Sequence, residues 1–222
     1  MLNFYARLML IPLVIFTAAL LLVHTQPYDD HELRQLLPES CPAPCFMGIR
    51  PGVTTLEEAR NILKASGWAD HIVLNSGLNL TASETFISLN WEWNDHRSPL
   101  LDATSPAFML GFKQDIHAVV DEIYVSTRIP VGLMNTILQS PNRYRFGTLL
   151  PKASLTAQIV SSISIFYDKV EASVNLVCPL KISRLWMLRT NLYFYSQIPV
   201  NEDIHSWDNP AIIRTFKSVC RA

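Results

Sequence analysis

Alternation of apolar and polar residues marks several stretches of the chain beyond residue 85, and helical periodicity appears only in short, punctuated stretches. From Thr85 to Asn94, Ile87, Leu89, Trp91 and Trp93 share one parity and Ser88, Asn90 and Glu92 the other. That is the pattern of an antiparallel strand with one face on a core. Further strands are predicted over about Ala107–Lys113, Val119–Ser126, Ile159–Tyr167, Val170–Val177 and Leu185–Tyr195. Ile163, Ile165 and Tyr167, then Val170, Ala172, Val174 and Leu176, each line one face.

The helical signal is strongest after Pro51-Gly52, a turn dipeptide. Thr54 with Glu57, or Thr55 with Glu58, has capping-box spacing, and Leu56, Ala59, Ile62 and Leu63 form one apolar stripe ending at Gly67. Arg128-Ile-Pro130-Val-Gly132 through Ile137-Leu138 to Pro141 repeats the outline: a basic residue, proline and glycine, a short helix, a breaker. One helix followed by about three strands, occurring twice some eighty residues apart, predicts an α+β fold of two similar helix-plus-antiparallel-meander halves, 41–127 and 128–222. The second half should close with a helix from Asn209-Pro210, carrying Ile212, Ile213, Phe216 and Val219 inward.

Residues 8–23 carry no charge. As a helix they would reach about 24 Å, and with the apolar turn before them they approach the roughly 30 Å of a bilayer's hydrocarbon. Residues 1–24 therefore read as a transmembrane signal anchor that contacts the membrane through residues 2–23, with a cleaved signal peptide and a buried N-terminal helix as the competing readings. Arg7 precedes the apolar run and Asp29, Asp30 and Glu32 follow it. This places the domain on the extracytoplasmic side, with residues 25–40 as a juxtamembrane tether.

An exported domain changes the reading of the four cysteines, because an oxidising compartment favours disulfides over metal thiolates. Cys41–Cys45 as a local clip and Cys178–Cys220 as a staple is the favoured pairing, with a cross-pairing next. Eighteen Lys+Arg against nineteen Asp+Glu leave a formal charge of −1, so no field draws in nucleic acid, and no nucleic-acid partner is expected. The six histidines are scattered, Asp121-Glu122 and Glu57-Glu58 suit a strand and a helix cap, and no G-x-S-x-G, Walker or G-x-G-x-x-G stretch occurs. No catalytic, metal or cofactor residues are assigned.

Trp91, Trp93 and Phe86 are expected in the core. Because Tyr193, Phe194 and Tyr195 are consecutive, some must leave a one-sided core, which with Trp186 marks them for partner contact.

The Gly48-Ile-Arg-Pro51-Gly52-Val-Thr54 stretch, with Glu58-Ala59 and Ile62-Leu63, resembles the turn-helix signature of small exported bacterial proteins with a Cys-x3-Cys-aromatic-x-Gly-Ile start. It is distantly similar to the small lipoprotein of the outer-membrane barrel-assembly machinery. The resemblance covers about twenty residues, lacks a lipobox cysteine, and implies an α+β scaffold used for protein contacts with no catalytic site to carry over. The expected function is a membrane-anchored extracytoplasmic interaction or accessory module without catalytic activity. The alternatives are a small subunit of a larger membrane complex and, in another class, an exported small-ligand-binding protein or hydrolase. Mass spectrometry of the mature chain should find the N-terminal segment retained; an N-terminus near residue 25 would make it a cleaved signal.

Overall fold

A computed structural model describes residues 12–18, 21, 31–38, 40–42, 44–79, 84–111, 117–138, 140–149, 160–177, 182–198 and 205–206. The expected C-terminal helix and the Cys178–Cys220 staple lie outside the described residues. The chain divides into two units, Met1–Glu32 and Leu33–Ala222.

In the first unit, residues 12–18 and 21 are helical, and Leu13, Val14, Ile15, Phe16 and Leu21 are each more than half exposed. Among the described residues no helix is long and apolar enough to cross a membrane; residues 1–11 are outside them. A short helix, α1 (His31–Leu36), ends in the second unit. Leu36 is fully buried, Leu33 and Leu37 pack against the core, and the Met47 N–H donates to the Leu36 carbonyl at 2.8 Å. Within the stretch expected as a tether, Leu33, Leu36 and Leu37 pack into the core of the second unit.

The second unit is α+β, built on one antiparallel sheet. Its elements are α2 (Leu56–Ser66), β1 (Ala69–Asn79), β2 (Glu84–Trp93), β3 (Ala107–Gly111), β4 (Glu122–Pro130), α3 (Val131–Ile137), β5 (Arg143–Leu149), β6 (Val160–Tyr167), β7 (Val170–Val177), α4 (Ile182–Leu185), β8 (Arg189–Tyr195) and β9 (His205–Ser206). The strands lie in the order β1-β2-β3-β4-β8-β7-β6-β5-β9. Two consecutive meanders, β1–β4 and β5–β8, therefore meet through their last strands.

Three strands were not anticipated. β1 has a bulge between Asp70 and Val73, with His71 at φ 48°, which breaks its alternation. β5 is short and begins Arg-Tyr-Arg, and β9 has two residues. Each meander accordingly has four strands rather than three, while β8 begins at Arg189 because Ile182–Leu185 is helical.

Registers align the alternating residues into rows. On the core face, Leu74, Leu89, Met109, Ile123, Phe194, Val170 and Tyr167 oppose one another in sequence across seven strands. Trp91 and Trp93 belong to the same core, in a T-shaped pair 5.4 Å apart. Among the expected partner-contact residues, Phe194 is instead wholly buried in that central row, because its parity on β8 matches Ile123.

Helix α2 places Leu56, Ala59 and Leu63 in the core. Of the two capping pairs the sequence left open, Thr55 and Glu58 form the box: the Glu58 N–H donates to Thr55 Oγ1 at 3.2 Å and the Thr55 N–H to Glu58 Oε2 at 2.9 Å. The Thr55 N–H, and then its hydroxyl donating to Glu58 Oε2 at 3.0 Å, hold the Glu58 carboxyl below its ordinary range. Thr54 instead accepts from the Arg50 N–H at 2.9 Å, closing the Pro51-Gly52 turn, and Glu57 lies beside His117 at 3.3 Å. Gly52 has φ 82°, and a Cβ there would sit 3.2 Å from the Ser196 Cβ, so two separate constraints favour glycine. Helix α3 has no side-chain cap; its Val131 and Gly132 N–H groups donate to the Leu188 and Trp186 carbonyls. The Cys41–Cys45 disulfide forms, with Cα atoms 6.0 Å apart.

Truncating the centre of the long core row should be far more damaging than truncating an edge. Phe194→Ala should cost about 3–5 kcal/mol in denaturant unfolding, Thr55→Ala about 1 kcal/mol, and Val73→Ala, at a half-exposed position, within about 0.5 kcal/mol.

Candidate functional site

The residues of opposite parity build a second face with a different chemistry. Val73, Asn90, Phe108, Tyr124, Tyr193, Glu171, Phe166, Arg143 and Ser206 oppose one another along a row that crosses all nine strands. Beside it runs a polar row, Ser126, Asn191, Ser173, Ser164 and Arg145. On its other side Leu110, Glu122 and Tyr195 are in register. The aromatic members touch: Phe108 stacks on Tyr124 with centroids 4.9 Å apart, Tyr124 meets Tyr193 at 4.9 Å, and Tyr193 lies parallel to Tyr195 at 6.1 Å. The guanidinium of Arg145 sits 5.7 Å over the Phe166 ring and that of Arg143 6.0 Å.

At the centre is a buried polar network. Glu171 is 3% exposed; it pairs with Arg145 at 3.3 Å and accepts the Tyr195 hydroxyl at 2.9 Å. Burial, reinforced by the Glu171 and Glu122 carboxylates, pushes the Tyr195 phenol well above its ordinary range, and burial does the same to Tyr193. Glu122, next to Tyr195, has its carboxyl pushed up from 4.5 to about 7 by burial and then by the negative charge of Glu171. The network thus holds two carboxyl groups, Glu171 paired with Arg145 and Glu122 with its proton affinity raised.

A cleft of about 540 Å³ opens where β4, β8 and β7 run together, with Tyr124, Ser126, Asn175, Asn191 and Arg189 on its walls and Asp102 and Met187 at its edge. Ser126 Oγ donates to Asn191 Oδ1 at 2.9 Å, and the Thr104 backbone and hydroxyl hold the Asp102 carboxyl below its ordinary range. Met187 is 78% exposed and Trp186 37%. A second cleft, about 590 Å³, lies at the other end of the β4–β8 pair, between Arg50, Gly52, Val53, Asp121, Lys169 and Ser196.

The cleft hydroxyl of Ser126 donates to an amide oxygen, which is not a base strong enough to activate it, and no histidine or cysteine lines either cleft among the described residues. Among the described residues no three His, Cys, Asp or Glu side chains are grouped to hold a metal ion.

The residues singled out from sequence divide between different environments. Tyr193 lies on this second face; Tyr195 is buried in its network; Trp186 stands at the turn before β8 and Phe194 in the core. Cys41, Cys45, Pro51, Gly52, Thr54, Glu57 and Glu58 shape the turn and the α2 start, with Pro51 and Gly52 also lining the second cleft. Glu122, Tyr124, Arg145, Glu171 and Asn191 had no sequence signal as a group, because β8 lies between β4 and β7 and only the register unites them. In comparisons with family models, curated proteins and solved structures, nothing matches this chain.

The raised Glu122 carboxyl has a definite consequence for stability. The unfolded chain loses this proton near 4.5 and the folded protein near 7, so stability present below pH 4.5 is lost as pH rises through 7, by at most about 3 kcal/mol and less where water reaches the carboxyl. Thermal unfolding of Glu122→Gln should show stabilisation at pH 8 that shrinks towards pH 5. An equal effect at both values would show that the carboxyl is not perturbed.

Proposed function

We propose that the chain is a membrane-anchored extracytoplasmic interaction module, without catalytic activity, that docks a protein partner on the second face of its sheet. The observation that carries this reading is the continuous Phe108–Tyr124–Tyr193 aromatic row, whose central Tyr124 lines a cleft together with the exposed Met187. Aromatic and methionine side chains bordered by hydrogen-bonding groups are the composition of interface hot spots. The exposed apolar side chains at residues 13–16 and 21 support the anchor, and the resemblance of the Gly48–Thr54 stretch to exported contact scaffolds supports the compartment.

The docking face belongs to two similar halves, each a helix followed by four strands. Several correspondences support this. The strand order reads alike from both sides of the β4–β8 seam. The Gly52 N–H donates to the Val120 carbonyl just before β4, as the Gly132 N–H donates to the Trp186 carbonyl just before β8. The two clefts occupy opposite ends of the same strand pair.

Affinity isolation from gently solubilised membranes tests the reading. A stoichiometric protein partner should accompany the unsubstituted chain, and its recovery should fall at least tenfold with Met187→Asp, a change at an exposed position that leaves the core intact. Absence of a partner, or one retained equally by Met187→Asp, contradicts it.

A further inference from the structure

The sheet has two edges of opposite character. One is β9, with two residues; the other is β1, with eleven, about twice the usual strand length. Among the described residues no strand pairs with the outer side of β1. Exposed edges are ordinarily blunted by a bulge, a proline or a charge, since their unpaired N–H and C=O groups recruit another strand. The bulge at Asp70/Val73 blunts only the start of β1; from Val73 to Asn79 the pairing with β2 is unbroken. Residues 72–79, Ile-Val-Leu-Asn-Ser-Gly-Leu-Asn, contain neither charge nor proline. Val73 is 50% exposed, Asn75 and Ser76 are exposed, and the Phe86 ring lies against Gly77, where a Cβ would come within 2.5 Å of it. Among the described residues this edge is open.

We propose that β1 is a self-pairing edge, through which two copies of this chain join antiparallel over Val73–Asn79 with Ser76 opposite the partner's Ser76. The occupant follows from the pattern of the strand. Centring the regular segment on its midpoint sets Leu74 opposite the partner's Leu78, and Leu78 opposite the partner's Leu74. Position 74 is on the core face, where Leu74 packs against the cluster and pairs with Leu89, so this register carries the apolar layer from one sheet into the next. Asn75 meets the partner's Gly77, and no charges oppose one another because the segment has none. A charged strand would find no counter-charge here, whereas a second copy sets leucine opposite leucine and serine opposite serine, with Val73 opposite the partner's Asn79 only at the ends. Seven residues span only about 24 Å, so the pair is small and should dissociate on dilution.

The test uses the full chain in detergent with its native cysteines. Sedimentation should show a concentration-dependent dimer, and Asn75→Lys should weaken it at least tenfold. Under mild oxidation Ser76→Cys should give a covalent dimer on a non-reducing gel, while Val73→Cys, whose counterpart lies about 20 Å away along the pair, and the unsubstituted chain should not. Both positions are exposed, and an unchanged circular dichroism spectrum verifies folding. A chain monomeric at all concentrations, equal cross-linking at residues 73 and 76, or a Ser76→Cys thiol shielded from labelling within the monomer by the chain itself would overturn the proposal.

Discussion

The antiparallel pairing of β4 with β8 is the contact on which everything else in the second unit depends. Five consecutive register pairs, Glu122↔Tyr195 to Ser126↔Asn191, join the two meanders into one sheet. On one side of the seam, Ile123 against Phe194 and Val125 against Leu192 make the core continuous. On the other, Tyr124 against Tyr193 and Ser126 against Asn191 make the second face continuous. The same period-2 geometry that buries the apolar side chains assembles the aromatic and polar ones, so fold and site have one cause.

The seam also explains why charge is buried here. Glu171 belongs to β7, yet its acceptor sites are filled by Tyr195 from β8 and Arg145 from β5. Removing Arg145 would leave an uncompensated carboxylate in a poorly solvated place, a far larger cost than losing an exposed ion pair, and removing Tyr195 would leave one carboxylate oxygen without its hydrogen bond. Glu122 differs: burial, and then the charge of Glu171, raises the pKa of its carboxyl from 4.5 to about 7.

Legibility in the sequence followed local periodicity. β2, β6 and β7 were readable because Ile87 to Trp93, Ile163 to Tyr167 and Val170 to Leu176 alternate without interruption. β1 was hidden by its bulge, and β5 by arginines that serve as partners for Glu171 and Phe166 instead of as solvent-facing residues. The consecutive Tyr193-Phe194-Tyr195 correctly required residues on both faces, but parity alone could not say that the phenylalanine faces the core. The site was illegible for a further reason: which strand lies beside which is a long-range choice, and β8 passes between β4 and β7 despite following both in the chain.

Hydrogen exchange under native conditions tests the seam most directly. If the β4–β8 pairing unites the two meanders, the amides within Ile123–Val125 and Leu192–Phe194 should be the slowest in the second unit and exchange together, only through global unfolding. Exchange of residues 128–196 while residues 41–127 remain protected would show that the meanders stand independently, and would contradict the dependence of core and site on that single strand pair.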